Sequence, residues 1–234
     1  MNLLDEKKSV ESPVKTRIEW KSAESAFCYF KKGENEGDEG TTIKVDNITF
    51  IPVQLAFRIG GFSDSEGCYI YSNTVTDLKT QKLSVKYAKT KKVIASGLYA
   101  DIKDVVKAND GKFQAVLYSV ITHLADKQLE TPRYVEVIFS GSASAGLSNS
   151  SESIFNLVGK TVKHTGSTQE KKGGIKYNAP TFETKSIDRA NLPENVREFA
   201  KTIQQYLKEY FELTQGVKEA VSYTHLTLPT NREV

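Results

Sequence analysis

A recurrent alternation of polar and apolar residues, with a period of two, constrains this chain to a mainly β fold. In residues 15–20, charged side chains alternate with Thr16, Ile18 and Trp20. Residues 83–88 repeat the pattern, with apolar or aromatic side chains at every second position. A strand that is buried on one face has this period, because successive side chains point to opposite sides of the sheet. The chain is therefore predicted to form strands with one covered face.

Two segments have helical spacing instead. Residues 100–108 carry apolar side chains at i, i+3 and i+4, which predicts a short helix in mid-chain. Residues 193–213 have one continuous apolar face at helical spacing, and Pro193 suits the first turn of a helix. We expect this C-terminal amphipathic helix to dock on the sheets or on a partner. Residues 140–153 are rich in Ser, Gly and Ala, which predicts a loop or linker.

Composition shifts predict the domain boundaries. Residues 1–13 are charged and are expected to form a flexible leader. Residues 14–213 are expected to form a single β domain that includes the helix at 193–213, followed by a linker at 214–220. Residues 221–234 resemble the translation of a sequencing adaptor, so we expect this tail to be artefactual and the natural C-terminus to be missing.

Composition also indicates a soluble protein of the cytoplasm. Apolar residues make up 38% of the chain and aromatic residues 10%, which is enough for a folded core. No apolar run approaches the roughly 18 residues that span a bilayer, and the first twelve residues lack the apolar stretch of a signal peptide. Cys28 and Cys68 are the only cysteines, so neither a disulfide framework nor a zinc site is indicated.

The sequence contains no recognisable catalytic motif. It has no G-x-x-x-x-G-K-[ST] phosphate loop, no H-E-x-x-H and no C-x-x-C. Outside the tail, only His123 and His164 could act as imidazole bases, and neither belongs to a motif with Ser, Cys or a carboxylate. We therefore expect a protein that is not an enzyme, with no cofactor and no metal site.

Two basic clusters stand out against a net charge of only +3. Residues 79–92 contain six lysines and no acidic residue, and residues 160–176 contain five lysines and one Glu. On a strand, Lys82, Lys86 and Lys92 would share one side with Ser84, which leaves the opposite side to pack in a core. Lysines that neutralise phosphates give affinity that falls with salt and carries little sequence preference.

Aromatic residues are interleaved with these lysines. A base of any identity can stack on an aromatic ring. Lysine and aromatic side chains on a β surface therefore predict a nucleic-acid site, although strand aromatics also pack in cores and lysine runs also protect sheet edges. The candidate phosphate contacts are Lys82, Lys86, Lys89, Lys91, Lys92, Lys171 and Lys172. The candidate stacking residues are Phe62, Tyr69, Tyr71, Tyr87 and Tyr177.

Five segments resemble the single-stranded-DNA-binding proteins of tailed bacteriophages. They are residues 60–64, 69–75, 113–120, 171–173 and 177–182, and the likeness extends over roughly residues 14–211. The order of strands, a short helix and closing strands is also that of a five-stranded oligonucleotide-binding (OB) barrel. The resemblance implies an OB-like antiparallel β-barrel that coats unwound DNA during phage replication or recombination, in the cytoplasm of the bacterial host.

The resemblance also implies partners, namely single-stranded DNA and a phage polymerase, helicase or recombinase, with a homo-oligomer possible and no membrane contact. Members of this class often end in an acidic recruiting tail, whereas this chain ends in the adaptor-like segment. A second hypothesis uses the same strands, loops and amphipathic helix. It makes the chain a phage virion structural or assembly protein with a β-sandwich core, in which the helix at 193–213 is an oligomer interface.

Overall fold

The computed structural model describes residues 10–31, 40–45, 47–125, 127–150 and 152–215, and within them the fold is mainly β. The strands are β1 (Thr16–Lys21), β2 (Ala26–Lys31), β3 (Thr41–Val45), β4 (Thr49–Ser63), β5 (Cys68–Ser72), β6 (Leu83–Tyr87), β7 (Val93–Gly97), β8 (Gly111–Leu124), β9 (Lys127–Phe139), β10 (Lys160–Lys172) and β11 (Ile175–Ser186). The α-helices are α1 (Tyr99–Ala108), α2 (Ser142–Asn149) and α3 (Glu194–Gln215). Short 3₁₀ turns lie at Ile154–Asn156 and Arg189–Asn191.

One large mixed sheet contains these strands, in the order β3-β2-β1-β9-β8-β4-β5-β6-β7. The β10–β11 hairpin joins the sheet through the start of β4, where Val162 lies opposite Phe50. The prediction of a purely antiparallel sheet is wrong, because β1 pairs with β9 in parallel. The described strands do not close on themselves, so the predicted barrel is not confirmed.

The inner face of the sheet carries the main core. Ile18 of β1 and Val85 of β6, which lie far apart in the strand order, belong to one continuous buried cluster. The alternation predicted for residues 83–87 is confirmed, since Leu83, Val85 and Tyr87 are buried. The helix predicted at 100–108 is also confirmed, and α1 directs Ile102 and Val106 into this core.

The outer face of the sheet is partly covered by α3. Val196, Phe199, Ile203 and Leu207 of α3 are buried in a second cluster that includes Tyr118 of β8. Stacking of Phe199 on Tyr134 and an edge contact between Tyr206 and Tyr118 fix the helix further, with ring centroids 4.3 and 6.4 Å apart. The predicted C-terminal helix is confirmed, and its apolar face docks on the protein's own sheet.

The end of α3 is tied to the segment that follows β5. Thr74 N donates a hydrogen bond of 3.0 Å to Tyr210 Oη. The helix continues to Gln215, two residues beyond the predicted end at 213. Among the described residues, none of the helices has the length and apolar character needed to span a membrane.

The segment at 140–153 is not a simple loop, because it contains α2. Ala143 and Leu147 of α2 are buried, and Gly146 lies so close to Pro180 of β11 that a Cβ there would be 2.1 Å from the Pro180 carbonyl oxygen. Small residues therefore serve close helix-to-strand packing here. Of the predicted leader, residues 10–13 have neither helix nor strand, whereas 1–9 lie outside the described residues, as do 216–220 and the adaptor-like tail.

Candidate nucleic-acid interface

Three exposed aromatic side chains lie together on the outer face of the sheet, beyond the end of α3. Phe62 of β4 lies directly opposite Tyr69 of β5, with ring centroids 5.2 Å apart and planes at 80°. Tyr71 lies two residues along β5 on the same side. The exposed fractions of Phe62, Tyr69 and Tyr71 are 45%, 69% and 39%, so ring surface is available to a ligand. We call these three residues the aromatic patch.

The hairpin between β4 and β5 positions the aromatic patch. The turn between the two strands contains Gly67, with φ of +58° in the left-handed region that suits glycine. Along β4, Phe57, Ile59 and Ser63 are buried on the inner side, and Arg58 and Gly60 face outward with Phe62. The outer face receives the aromatic patch because the alternation is continuous from Gln54 to Ser63, without a bulge.

Lysines from the first basic cluster flank the aromatic patch. Lys86 of β6 lies directly opposite Tyr71, and Lys91 Nζ lies 5.2 Å from the centroid of the Tyr71 ring. Lys91 has a positive φ of +60° in the turn between β6 and β7, where its N–H donates to Tyr87 O at 3.0 Å. A lysine over a ring face is attracted to the π electrons, which holds the ammonium group beside Tyr71.

Lys112 of β8 is a third lysine at this site, and sequence reasoning missed it. Gly60 of β4 lies between Lys112 on one side and Tyr71 on the other. The row Lys112, Gly60, Tyr71, Lys86 therefore crosses four strands on the outer face. The only sequence signal was that Lys112 alternates with the inward-facing Phe113, and nothing in the sequence placed it beside Tyr71. We call Lys86, Lys91 and Lys112 the basic rim.

The other lysines of the first cluster are exposed but lie around this row. Lys82 directly precedes β6 and is exposed. Strand β6 ends at Tyr87, so Lys89 and Lys92 lie in the turn before β7. The parity argument therefore does not apply to Lys92, because the chain reverses between Lys86 and Lys92.

Tyr87 is buried, with only 7% of its surface exposed, and its ring belongs to the inner core. Its hydroxyl donates to Asn109 Oδ1 at 2.8 Å. Burial, with a smaller contribution from the nearby Glu66 carboxylate, raises the pKa of the Tyr87 hydroxyl. In this position the ring faces are not open to a base, so Tyr87 lies apart from the aromatic patch.

The second basic cluster lies elsewhere. Lys171 and Lys172 end β10 at the tip of a hairpin whose turn is Gly173-Gly174, and Tyr177 lines a groove against α2. β10 meets the start of β4 and runs antiparallel to it, which leads the tip away from the aromatic patch. From Thr49 to Phe62, β4 covers about 40 Å at about 3.3 Å per residue. The structure therefore does not bring the two clusters together.

A polar network underlies the outer face between α3 and the aromatic patch. Glu136 Oε2 accepts hydrogen bonds from Arg58 Nη1 at 2.9 Å and from Arg17 Nε at 3.0 Å. Arg58 Nε in turn donates to Gln114 Oε1 at 3.0 Å. The Glu136 side chain is 4% exposed and that of Arg58 12%, so the network is largely shielded from water. Burial, aided by the Glu136 charge, raises the pKa of Tyr118.

His164, one of the two candidate imidazole bases, lies in the aromatic core. Its ring centroid is 5.4 Å from that of Trp20 and 5.3 Å from that of Phe27. Nδ1 of His123, the other candidate, lies 3.0 Å from Thr122 Oγ1. Among the described residues, no group of three or more His, Cys, Asp or Glu side chains is arranged to hold a metal ion.

No protein-family model, curated protein or solved structure matches this chain. A function for the protein must therefore be argued from its own residues. Among the described residues, the aromatic patch and the basic rim bring three exposed rings and three lysines together on one side of the sheet.

Proposed function

We propose that the protein binds single-stranded DNA, with little sequence preference, through the aromatic patch and the basic rim. The observation that carries this proposal is the juxtaposition of three exposed rings with Lys86, Lys91 and Lys112 on one continuous sheet face. Unpaired bases stack on exposed rings, while lysines hold the phosphates that connect them.

A single strand fits this surface better than a duplex. In a duplex the base faces are stacked on one another, so Phe62, Tyr69 and Tyr71 would have no faces to contact. In a single strand each base offers a free face, and each stacked base contributes about 1–3 kcal/mol. The exposed acids Asp64 and Glu66 lie in the turn at the far end of the β4–β5 hairpin, where they would repel phosphates and bound the site at that end.

Support for the wider role comes from the resemblance described above. The proposal includes an OB-like shape, a role in phage replication or recombination in the host cytoplasm, and a polymerase, helicase or recombinase as partner. A single core that extends across the strand order from Ile18 to Val85 is compatible with an open OB-like sheet. Lys171, Lys172 and Tyr177 remain candidates for a separate contact with the same strand.

The second candidate, a virion structural or assembly protein, relied on the C-terminal helix as an oligomer interface. The apolar face of α3 is instead buried against Ile51, Ala56, Tyr118 and Val120 of the same chain. That face is therefore occupied in the folded monomer, and the structural hypothesis has no surface assigned to it.

Fluorescence anisotropy of labelled oligo-dT, titrated with the full chain at two salt concentrations, tests the proposal. We expect binding that weakens as salt rises and that exceeds binding to a duplex of equal length. Absence of binding at the lower salt concentration would contradict the proposal. Defined assemblies formed without DNA would then favour the structural hypothesis.

A further inference from the structure

The side-chain amide of Gln114 has a fixed orientation beside the aromatic patch. Arg58 Nε donates to it at 3.0 Å, and a guanidinium group has donors only, so the contacted atom must be the carbonyl Oε1. The other atom, Nε2, therefore carries two N–H donors that have no acceptor among the described residues. Gln114 is half-buried, which leaves part of the amide accessible to a ligand.

Glu136 keeps this arrangement in place. Its buried carboxylate accepts from Arg58 Nη1 at 2.9 Å, which fixes the guanidinium plane and hence the direction of Arg58 Nε. Rotating the Gln114 amide by 180° would place Nε2 against the arginine, donor against donor. Nε2, the donor end of the amide, therefore points away from Arg58 and towards the side on which a ligand would bind.

The amide lies over Gly60, in the row that contains Tyr71. A Cβ at Gly60 would be 2.7 Å from Nε2 and 2.9 Å from Oε1 of Gln114, so the amide occupies the space that a side chain would take. Gly60 is directly opposite Tyr71, and Tyr71 is directly opposite Lys86. Across the sheet, the order is therefore Gln114 amide, Tyr71 ring, Lys86.

This order orients a nucleotide that stacks on Tyr71. When its phosphate is held by Lys86 and Lys91, the two lysines of the basic rim that contact or lie opposite Tyr71, its base extends across the ring towards Gly60 and Lys112. The edge that reaches Gln114 is then the one opposite the glycosidic bond. At the exocyclic position of that edge, on C4 of a pyrimidine or C6 of a purine, thymine and guanine have a keto oxygen, whereas cytosine and adenine have an amino group.

We propose that Gln114 Nε2 donates a hydrogen bond to the keto oxygen of the base stacked on Tyr71, so that this position prefers thymine or guanine to cytosine or adenine. The inference rests on the proposed function and adds a local preference to binding that is otherwise general. Glutamine contacts adenine in a bidentate manner by donating with one atom and accepting with the other. That mode is closed here, because Oε1 is already bound to Arg58.

Comparison of oligo-dT with oligo-dC of equal length tests the preference without the self-stacking of purines. The native protein is expected to bind oligo-dT about three- to tenfold more tightly, which is the size of one neutral hydrogen bond. Gln114→Met keeps the length of the side chain and removes its donors, so the ratio of the two dissociation constants should fall to about 1.

Gln114→Glu is a second variant, for which we expect the opposite preference between oligo-dT and oligo-dC. A carboxylate only accepts, so it should favour the amino group of cytosine and turn the preference towards oligo-dC, even if its charge weakens both complexes. An unchanged ratio in both variants, with oligo-dT still bound, would overturn this inference alone. Loss of all oligonucleotide binding by the native protein would overturn the proposed function and this inference with it.

Discussion

Arg58 Nη1 lies 2.9 Å from Glu136 Oε2 on the sheet face that the apolar side of α3 partly covers. Both side chains are nearly inaccessible, and the carboxylate also accepts from Arg17, whose side chain is 66% exposed. Two arginines around one buried carboxylate give the region a net positive charge. The network lies between the part of the outer face that α3 covers and the aromatic patch.

Removing the carboxylate should destabilise the fold strongly. Glu136→Leu leaves Arg58 buried without its anionic partner, and we expect the free energy of unfolding to fall by about 3–5 kcal/mol. Chemical denaturation measures the change. Glu19→Gln, which removes one partner of the exposed pair between Glu19 and Lys21, is the matched control and should cost at most about 1 kcal/mol. Equal stability of Glu136→Leu and the native protein would show that the ion pair contributes nothing.

Stacking on the aromatic patch should be strongest at its most exposed ring. Tyr69→Ala is expected to weaken oligo-dT binding by about 1–3 kcal/mol, because one base loses its stacking partner. Since Tyr69 is 69% exposed, the melting temperature should change little. Phe155→Ala removes a ring that is 65% exposed outside the patch and serves as the control. Equal losses of affinity in the two variants would argue against a localised stacking site.

Lysines of the first cluster should set the salt dependence of binding. Replacing Lys82, Lys86, Lys89, Lys91 and Lys92 with Gln is expected to abolish binding at moderate salt while the circular dichroism spectrum stays native. At low salt, where residual binding is measurable, the slope of log K against log salt should decrease by about 0.7 for each phosphate that a lysine no longer neutralises. Affinity that is unchanged at low salt would rule out a role for these lysines in holding phosphates.

Two lysine pairs outside the patch serve as comparisons for that variant. Lys103 and Lys107 are exposed on α1, and their replacement with Gln should leave the affinity for oligonucleotides nearly unchanged. Lys171 and Lys172 lie at the hairpin tip, so replacing them should matter only for oligonucleotides long enough to extend beyond the patch. A large effect of the Lys171 and Lys172 replacements on the shortest oligonucleotides would place the primary site at the hairpin tip instead.

Local periodicity was sufficient to predict β6, α1 and α3, because each of them has one buried face that repeats along the sequence. Residues 83–87 illustrate this, since their alternation correctly separates Tyr87 from Lys86. The same alternation places Tyr87 on the buried side of β6, yet Tyr87 was also predicted to stack on a base. A ring on the buried side of a strand has its faces in the core and cannot contact a base.

Long-range pairing could not be predicted in the same way. The parallel contact of β1 with β9 joins residues more than 100 positions apart, and neither strand carries a local signal for its neighbour. Lys112 joins the site only because Gly60 separates it from Tyr71 in the folded sheet. Lys171 and Lys172 resemble the first cluster in composition, yet the direction of β10 takes them to the opposite end of β4.

The stability of the protein should depend on pH through the contacts of Glu152 with the β10–β11 hairpin. Thr184 Oγ1 donates to Glu152 at 2.6 Å, and Lys160 Nζ lies 3.0 Å from both carboxylate oxygens. The Thr184 hydrogen bond and then Lys160 lower the pKa of Glu152 below its ordinary value of 4.5. A lowered pKa means that the interaction stabilises the fold above pH 4.5 and that this stability is lost as the pH falls through the lowered value.

Glu152→Gln tests this linkage, because it keeps the shape and removes the titration. At neutral pH the variant should be less stable by about 1 kcal/mol, and the difference should vanish when Glu152 is protonated in both states. Denaturation curves at a series of pH values measure it. A difference that stays constant down to the acid limit would mean that the charge is not involved.

Close packing of α2 on β11 gives the sharpest test of the segment that composition misassigned. At Gly146 a Cβ would be 2.1 Å from the carbonyl oxygen and 3.0 Å from the nitrogen of Pro180, so backbone must move to admit it. Gly146→Ala should therefore lower the free energy of unfolding by about 1–3 kcal/mol, even though alanine has a higher helix propensity than glycine. Ser144→Ala, at an exposed position of the same helix, isolates the propensity effect and should be neutral or slightly stabilising. If Gly146→Ala stabilised the protein as Ser144→Ala does, α2 would not pack against Pro180, and the loop predicted from composition would be the better description.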